Sequence, residues 1–550
     1  MSTYLLEIGT EELPADFAES VISQLKLNVN DDLNSSQLKF SEIRVTTTPR
    51  RIALIIEGIA PFSEDNIEER KGPPVSQAFH EGIPTKAAIG FAKRYDIPPE
   101  KLEIRETAKG SFVFAKIIEK GKSGVSLISD HLPGWISKIQ GRRFMRWGEG
   151  DFRFSRPIRW IVSLLDSEVL AFEISGCDPK IKIGNISRPH RLYGLELDIK
   201  NANTYEDQLE NAGVIVDRKT RLLYINNLVI NQEINNNFRP DLTDKLLNEL
   251  TDLVESPLLI HGSFDESFLD LPPEVLSTVM KVHQRYIPIY KENKKFDPLS
   301  LDSRKILFPS FLCISNGLSS ADNTIISGNE KVLKARFSDA YFFIKSDLLI
   351  NSSSRINKLK NVTFAEGLGS LYDRVIRIEW LTKFLTIKLK FEPEDIERSI
   401  KAAHFSKHDL VSNMVDEFPE LQGIIGSKYL LHEGESRDVC LAVLEHYKPR
   451  GAADSLPSNN LGKAVSLAER FELIFSIFVK GERPTGSSDP YALRRAANGI
   501  LLILWNQDWQ LNINEIIYES LIYWRQLFPS ITFDISGLSF ELMEFFRQRI

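Results

Sequence analysis

The spacing of hydrophobic and polar residues near the start of the chain predicts a small α+β domain. Thr3 to Gly9 alternates as a strand does, and Ala15 to Leu25 carries apolar residues at helical spacing. The runs EIRVTTT and RIALIIEGI, separated by Pro49, indicate two more strands in a tight connection. A polar, proline-bearing segment from Pro61 to Lys101 follows, and Phe112 to Ile118 predicts another strand. This order favours a β-α-β-β domain interrupted by an insertion over parallel β-α-β repeats.

Strand and helix patterns mix from about residue 200 to residue 345. LTDLVESPLLIHGSF indicates a helix, a loop and a strand, whereas RYIPIY and FPSFLCIS indicate strands. SADNTIISGNEKVLKARFSDAYFFIKSD indicates a loop followed by a long helix. Beyond Asp347 the pattern is mainly helical, and an apolar stripe runs from Leu461 to Phe478. The predicted fold class is multidomain α+β, with a mixed α/β amino-terminal half followed by an all-helical region.

The segment GERPTGSSDPYALRRAANG predicts a loop that leads into a helix. Asp489 is placed to cap this helix, and Pro490 suits its first position because proline needs no amide partner there. Arg494 and Arg495 then lie near the positive end of the helix dipole, where a cation is unfavourable unless an anion is close. Neighbouring helical residues diverge by about 100°. We therefore predict that Arg495 anchors the loop internally and that Arg494 faces a partner.

The composition is that of an ordinary globular protein large enough for several domains. The chain has 550 residues, of which 42% are hydrophobic and 26% are charged, and its net charge of -7 excludes a globally basic nucleic-acid binder. Its three cysteines are far apart, no apolar run approaches the ~20 residues of a membrane span, and no signal peptide is visible. These features predict a cytoplasmic protein. The ending LSFELMEFFRQRI, an amphipathic helix without a cap, predicts that the chain stops short of a natural terminus.

One segment is locally basic. KIQGRRFMRWGEGDFRFSRPIRW, residues 138–160, contains seven basic residues, two acidic residues and several aromatic residues. Basic groups bind phosphates, and aromatic faces stack on unpaired bases, so the segment is a candidate nucleic-acid surface. The alternative is that the aromatic residues belong to a core and that the arginines pair with acids elsewhere.

No complete catalytic motif is present. EKGKSG contains Gly-Lys-Ser, but Lys116 stands where a phosphate-binding loop needs glycine. EGLGSL has too few glycines for a dinucleotide fingerprint, and neither GxSxG nor HExxH occurs.

The best metal candidate is AAHFSKHDLVSNM. His404 and His408 are four residues apart, and Asp409 follows directly. A His-Asp pair in a helical domain resembles the HD phosphohydrolases, which hold a metal that activates water. The preceding histidine is distant, at His283, and Glu469 stands where a later aspartate is expected. A solvated or structural helix is therefore favoured over a working metal site.

Five motifs together carry a resemblance to a known family. They are, in chain order, YLLEIGTEELP, TPRRIAL, MRWGEGDFRFSRPIRW, ISGNEKVLKARFSDAYFF and PTGSSDPYALRRAA. The whole chain closely resembles the beta subunit of bacterial tetrameric glycyl-tRNA synthetase.

The resemblance implies a division of labour between two kinds of subunit. In this family the alpha subunit carries the class II active site, with ATP and magnesium, and makes glycyl-adenylate. The beta subunit supplies most of the surface that binds tRNA(Gly), in a heterotetramer of two alpha and two beta subunits. The sequence is consistent with this, because it contains neither the HIGH and KMSKS signatures nor the arginine-bearing class II motifs. No catalytic residue, metal ligand or cofactor is then expected in this chain.

The resemblance also implies a domain order. An α+β domain with an insertion is expected at residues 1–199, a domain similar to B3/B4 of the phenylalanyl enzyme at 200–345, and a degenerate HD-like helical domain at 346–510. Residues 511–550 would begin a C-terminal helical region, with the anticodon-binding domain beyond the end of the chain. Many members carry Ala-Asp where this chain has His408-Asp409.

Six arginines are the expected tRNA-binding residues: Arg142, Arg143, Arg146, Arg153, Arg156 and Arg494. Two other functions stay open. One is an HD-type metal-dependent phosphohydrolase built on His404, His408 and Asp409, and the other is a scaffold that holds the alpha dimer and scarcely touches RNA.

Overall fold

The structure, a computed structural model, describes residues 1–107, 110–236, 238–291, 296–317, 322–486 and 488–549. The chain divides into two compact units. The first comprises Met1–Gln232, Leu242–Ile260 and Ile314–Asp322, and the second comprises Glu233–Asp241, His261–Cys313 and Asn323–Ile550.

Strands dominate the first part of the chain. Its elements are β1 (Ser2–Thr10), α1 (Ala15–Ser35), β2 (Glu42–Thr48), β3 (Arg51–Ile59), β4 (Asn66–Pro74), α2 (Val75–Ala78), β5 (Phe79–His80), β6 (Ile83–Pro84), α3 (Lys86–Arg94), β7 (Glu103–Thr107), β8 (Gly110–Glu119), α4 (Gly124–Ser137), β9 (Ile158–Leu165), β10 (Glu168–Val169), β11 (Ile183–Gly184), β12 (Ile186–Ser187), β13 (Leu197–Asp198), α5 (Tyr205–Asn211) and α6 (Arg218–Asn236).

Helices dominate the remainder. Its elements are β14 (Arg239–Pro240), α7 (Asp244–Thr251), β15 (Leu258–Ser263), α8 (Pro273–Thr278), β16 (Ile287–Tyr290), β17 (Leu307–Ser315), α9 (Asp322–Leu348), α10 (Ser352–Lys358), α11 (Leu371–Lys388), α12 (Pro393–Phe405), α13 (Asn413–Glu417), α14 (Ile424–His432), α15 (Arg437–Glu445), α16 (Asn460–Val479), α17 (Leu493–Gln507), α18 (Ile513–Leu527) and α19 (Ile535–Arg547).

The main sheet of the first unit has the strand order β10-β9-β1-β3-β2 and is antiparallel along this path. Alternate residues of β1 are buried on opposite faces: Leu6 packs with α1 and α4, whereas Leu5 packs with α5. The predicted strands at residues 3–9, 42–48 and 51–59 are confirmed. The predicted helix is also present, although it continues to Ser35.

The predicted insertion is a small domain of its own. Strands β4, β8 and β7 form a separate three-stranded sheet, and the strand predicted at residues 112–118 is β8. One face of this sheet packs on α2 and α3 through small residues such as Ala88 and Ala115. The insertion therefore leaves the main sheet intact.

The middle region contains a four-stranded sheet with the order β14-β16-β17-β15. Strands β15, β16 and β17 correspond to the three strand patterns predicted there. The predicted long helix is α9, and residues 318–321 of the preceding loop lie outside the described residues.

The helical region packs around α16, whose residues are almost all buried. The predicted apolar stripe lies on this helix, and α11, α12, α15 and α17 contact it. The mixed α/β first half and helical second half agree with the predicted fold class, whereas the four domain boundaries remain predictions. No described helix combines the length and apolar character that a membrane crossing requires.

A buried ionic network holds the first unit together. Glu255 is fully buried and accepts hydrogen bonds from Thr48 Oγ1 (2.7 Å), Arg50 Nη2 (2.8 Å) and Arg51 Nε (3.1 Å). Burial alone would raise the pKa of Glu255, but the charges of Arg51 and Arg50 lower it to about 2. The TPRRIAL motif therefore ties β3 to the loop before β15.

Glu7, from the YLLEIGTEELP motif, extends this network. It accepts hydrogen bonds from the Trp160 indole, from Tyr205 Oη (2.5 Å) and from Ser187 Oγ (2.6 Å). Arg51 Nη1 lies 3.4 Å from its carboxylate. Three of the motifs that carry the family resemblance thus meet in one buried cluster, since Trp160 is the last residue of MRWGEGDFRFSRPIRW.

We expect Glu255→Gln to destabilise the first unit by about 3–5 kcal/mol, because it leaves the buried Arg50 guanidinium without a charged partner and removes one of the two carboxylates beside Arg51. Native-state hydrogen exchange of the amides in β1 and β3 measures this loss. Glu57→Gln is the matched control, since Glu57 forms an exposed pair with Arg44 and should cost less than about 1 kcal/mol. Unchanged exchange in Glu255→Gln would contradict the central role of the network.

Candidate functional site

The basic segment connects α4 to β9. A single antiparallel bridge between Met145 and Phe154 closes it into a loop. Four of the predicted arginines are exposed and Arg156 is half-buried; the exposed ones are Arg142, Arg143, Arg146 and Arg153. The segment therefore presents a positive surface despite the negative net charge of the chain.

The aromatic residues of this segment form its base. Phe154 is fully buried, Trp160 is 6% exposed, and the partly buried Phe144, Trp147 and Phe152 pack against the same core as Phe154. Phe17 of α1 meets Phe154 edge-on at a ring-centroid distance of 6.1 Å. The expectation that these aromatic residues stack on bases is wrong for Phe154 and Trp160, because their faces are covered by protein. The alternative of core aromatics is confirmed for these two.

The arginines differ in their intramolecular contacts. Arg146 Nη1 lies 3.0 Å from Asp151 Oδ1, and Arg156 Nη1 donates to the Ser155 carbonyl at 2.9 Å. The ion pair is solvent-exposed and therefore weak, so a phosphate can compete for Arg146. Arg153 lines an open cavity of about 730 Å³ together with Phe144 and Phe152. The segment thus combines a packed aromatic base with accessible cations.

The helix after the predicted loop begins later than expected. The helix begins at Leu493 rather than at Pro490, after Ala492 in a left-handed conformation with φ of 55°. Asp489 still caps the first turn, because its carboxylate accepts the amides of Leu493 (2.8 Å) and Arg494 (3.0 Å). Ser487 of this loop lies outside the described residues.

The two arginines of this loop exchange their predicted roles. Arg494 Nη2 donates to the Thr485 carbonyl at 2.6 Å and anchors the loop, whereas Arg495 is exposed. The physical reason is the later helix start. Both arginines fall in the first turn, where side chains point back toward the preceding chain, but they diverge by about 100°, so that Arg494 reaches the loop and Arg495 is exposed. The prediction of Arg495 as the internal residue is therefore wrong.

The His-Asp pair has structural hydrogen bonds. His408 is fully buried, its Nε2 donates to the Gly426 carbonyl at 3.1 Å, and burial lowers its pKa to about 3. Asp409 accepts the amides of Gly423 (2.6 Å) and Gly426 (3.0 Å), and burial raises its pKa to about 6. His404 instead pairs with Glu379 at 2.7 Å.

These contacts bring His408 and Asp409 to the same backbone turn, while His404 has a separate partner. Within the described residues, no group of three or more His, Cys, Asp and Glu side chains is placed to hold a metal ion. His408 and Asp409 bind backbone groups of Gly423 and Gly426, and His404 binds Glu379.

Next to this pair lies an ionic cluster. Lys407 Nζ is buried 3.2 Å from Glu469 Oε1 and 3.0 Å from His446 Nε2. Burial lowers the pKa of Lys407 to about 8. Burial would raise the pKa of Glu469, but Lys407 and Arg374 hold it well below its usual range. Glu469 therefore serves as the partner of two cations.

The cluster continues through Glu472. This buried carboxylate accepts Arg374 Nε at 2.7 Å and Arg377 Nε at 2.9 Å. The sequence reasoning missed these residues as a set. The available signal was spacing, since Arg374 and Arg377 on α11, and Glu469 and Glu472 on α16, are each three residues apart and share a helix face.

Comparison with known proteins identifies the family. A family model described as "Glycyl-tRNA synthetase beta subunit" matches residues 4–550. A "Glycine--tRNA ligase beta subunit" from Trichodesmium erythraeum (strain IMS101) is 41% identical over 549 residues, covering 100% of this chain and 75% of the relative. The protein of the same name from Bacillus subtilis (strain 168) is 38% identical over 547 residues, covering 99% of this chain and 76% of the relative.

These matches extend over the sheet domain, the insertion and the helical region alike. The residues of the two buried networks and of the arginine segment all lie within the matched range. The chain belongs to the glycyl-tRNA synthetase beta subunit family.

Proposed function

We propose that this chain binds tRNA(Gly) and positions it for ATP-dependent glycylation carried out with a catalytic alpha subunit. The observation that carries the proposal is the exposed arginine set of residues 142–153 on a packed aromatic base, in a member of this family. Guanidinium groups suit phosphate because they donate several hydrogen bonds in one plane. Arg156 and Arg494 are secondary contacts, because each already donates to a backbone carbonyl.

Under this proposal the chain works in the cytoplasm within a heterotetramer of two alpha and two beta subunits. ATP and magnesium bind to the alpha subunit, and this chain contributes no catalytic residue. The four-stranded sheet of β14–β17 supports a B3/B4-like domain at residues 200–345. The packing of α11, α12, α15 and α16 supports a degenerate HD-like domain at 346–510, followed by the start of a C-terminal helical region.

The geometry disfavours the phosphohydrolase alternative. A metal at His408 and Asp409 would have to displace the hydrogen bonds that both residues make to Gly426. The positive charge of Lys407, close to Asp409 in sequence and in space, further opposes a divalent cation.

The scaffold alternative makes a different prediction from the RNA-binding proposal. A chain that only holds alpha subunits needs no accessible phosphate-binding arginines, whereas Arg142, Arg143 and Arg153 are exposed. Binding to tRNA at several salt concentrations separates the two functions.

We expect the triple variant Arg142→Ala, Arg143→Ala and Arg153→Ala to bind tRNA(Gly) more weakly and with less salt dependence. Each lost phosphate contact should reduce the slope of log affinity against log salt by about 0.7–0.9. Fluorescence anisotropy with labelled tRNA measures both quantities. A triple Ala variant of Lys26, Lys219 and Lys245, which are also exposed, is the charge-matched control. Equal slopes for the wild type and the arginine variant would refute the assigned surface.

We expect the purified chain alone to show no glycine-dependent exchange of pyrophosphate into ATP. The reason is that the sequence contains none of the arginine-bearing motifs with which class II enzymes hold ATP. The exposed arginines of the segment are assigned to the phosphates of RNA instead. Addition of the alpha subunit should restore exchange. Clear exchange by this chain without alpha would contradict the assignment of the chemistry to the partner.

A further inference from the structure

A second concave surface lies in the helical unit, away from the arginine segment in the sequence. It is a pocket of about 460 Å³, within the range of about 300–1,000 Å³ that is typical of small-molecule sites. Helix α17 forms one side, the loop after α15 forms the other, and Arg549, which follows α19, closes a third. The lining residues that matter here are Ala452, Arg495, Asn498, Gly499, Trp505 and Arg549.

The residues of α17 that line the pocket lie on one face of the helix. Asn498 and Gly499 lie three and four residues after Arg495, and Leu502 and Trp505 follow at further steps of three residues from Gly499. Trp505 is 59% exposed, although tryptophan is a residue that folding usually covers. A large flat aromatic surface is therefore available at the pocket mouth.

The opposite wall is held in place by Arg470 of α16. This buried guanidinium donates to the carbonyls of Tyr447 (2.9 Å) and Pro449 (2.8 Å), which lead into the wall at Ala452. Gly499 permits the close packing, since a Cβ there would lie 2.5 Å from Arg470 Nε. Contacts within the chain thus hold this wall of the pocket in place.

The pocket is positively charged. It is lined by the guanidinium groups of Arg495 and Arg549, and none of its described lining residues is Asp or Glu. The Arg549 guanidinium lies over the Phe545 ring at 5.0 Å, and its buried Nε has no hydrogen-bond partner. A ligand that fits must be anionic and must also offer a flat apolar face to Trp505.

We infer that this pocket takes one unpaired nucleotide of an RNA, with the base stacked on Trp505 and the phosphate between Arg495 and Arg549. A nucleotide is the ligand class that joins a planar aromatic group to a phosphate, and aromatic stacking accepts any base. The inference rests on the proposed function, because the RNA it requires is the tRNA bound by this chain. It adds a contact that the arginine segment does not supply.

The test measures tRNA(Gly) affinity for Trp505→Leu, Trp505→Phe, Arg495→Ala and Arg549→Ala at several salt concentrations. Trp505→Leu should weaken binding about 10-fold without changing the salt slope, since loss of one stacked base costs about 5- to 150-fold. Trp505→Phe should retain most of the affinity. Each arginine variant should reduce the slope by at most about 0.7, the value for one phosphate of a single strand, because both arginines contact the same phosphate. The controls are Phe540→Leu and Arg525→Ala, which remove exposed side chains of the same types outside the pocket.

The outcomes separate this inference from the proposed function. If the wild-type chain binds no tRNA, both the proposed function and the nucleotide pocket are refuted. If the wild type binds tRNA and the Trp505→Leu and Arg495→Ala variants match it, only the nucleotide pocket is overturned. If Trp505→Leu melts at a lower temperature, its weaker binding can come from lost stability. The affinity of Trp505→Phe and the salt slope of Arg495→Ala then decide the result. ATP binding that Trp505→Leu abolishes, with tRNA affinity unchanged, would overturn the assignment to RNA.

Discussion

Burial of carboxylates beside arginine pairs is the constraint on which both units of this protein depend. Glu255 is enclosed by Arg50 and Arg51 in the first unit, and Glu472 by Arg374 and Arg377 in the second. An unpaired charge at such depth is strongly unfavourable, so each cluster forms only when segments distant in sequence come together. The networks therefore specify which elements meet, whereas the apolar cores supply most of the stabilisation.

The same constraint separates structural arginines from available ones. Arginines whose carboxylate or carbonyl partners are buried, such as Arg51 and Arg470, are themselves buried and organise loops. Arginines without buried partners, such as Arg142 and Arg153, lie at the surface over an aromatic base. A chain with a net charge of -7 can thereby expose a local positive surface, because many of its acids are paired elsewhere. This arrangement suits a partner that is read through its phosphates.

Periodicity predicted the elements but not the roles of individual side chains. The strands of the main sheet, the insertion and the stripe of α16 followed from alternation and helical spacing, since these patterns are local. The exchange between Arg494 and Arg495 depended on a helix start three residues later than Pro490, set by the left-handed turn at Ala492. Lys407 gave no sequence signal, because its partners come from distant helices.

The central claim is that tRNA lies on the arginine segment between α4 and β9. Hydrogen–deuterium exchange of the chain, measured with and without tRNA(Gly), tests it most directly. The account predicts slower exchange in residues 138–157 when tRNA is present, with little change in the buried strands β1 and β3. Slower exchange confined to other surfaces, with residues 138–157 unaffected, would contradict it.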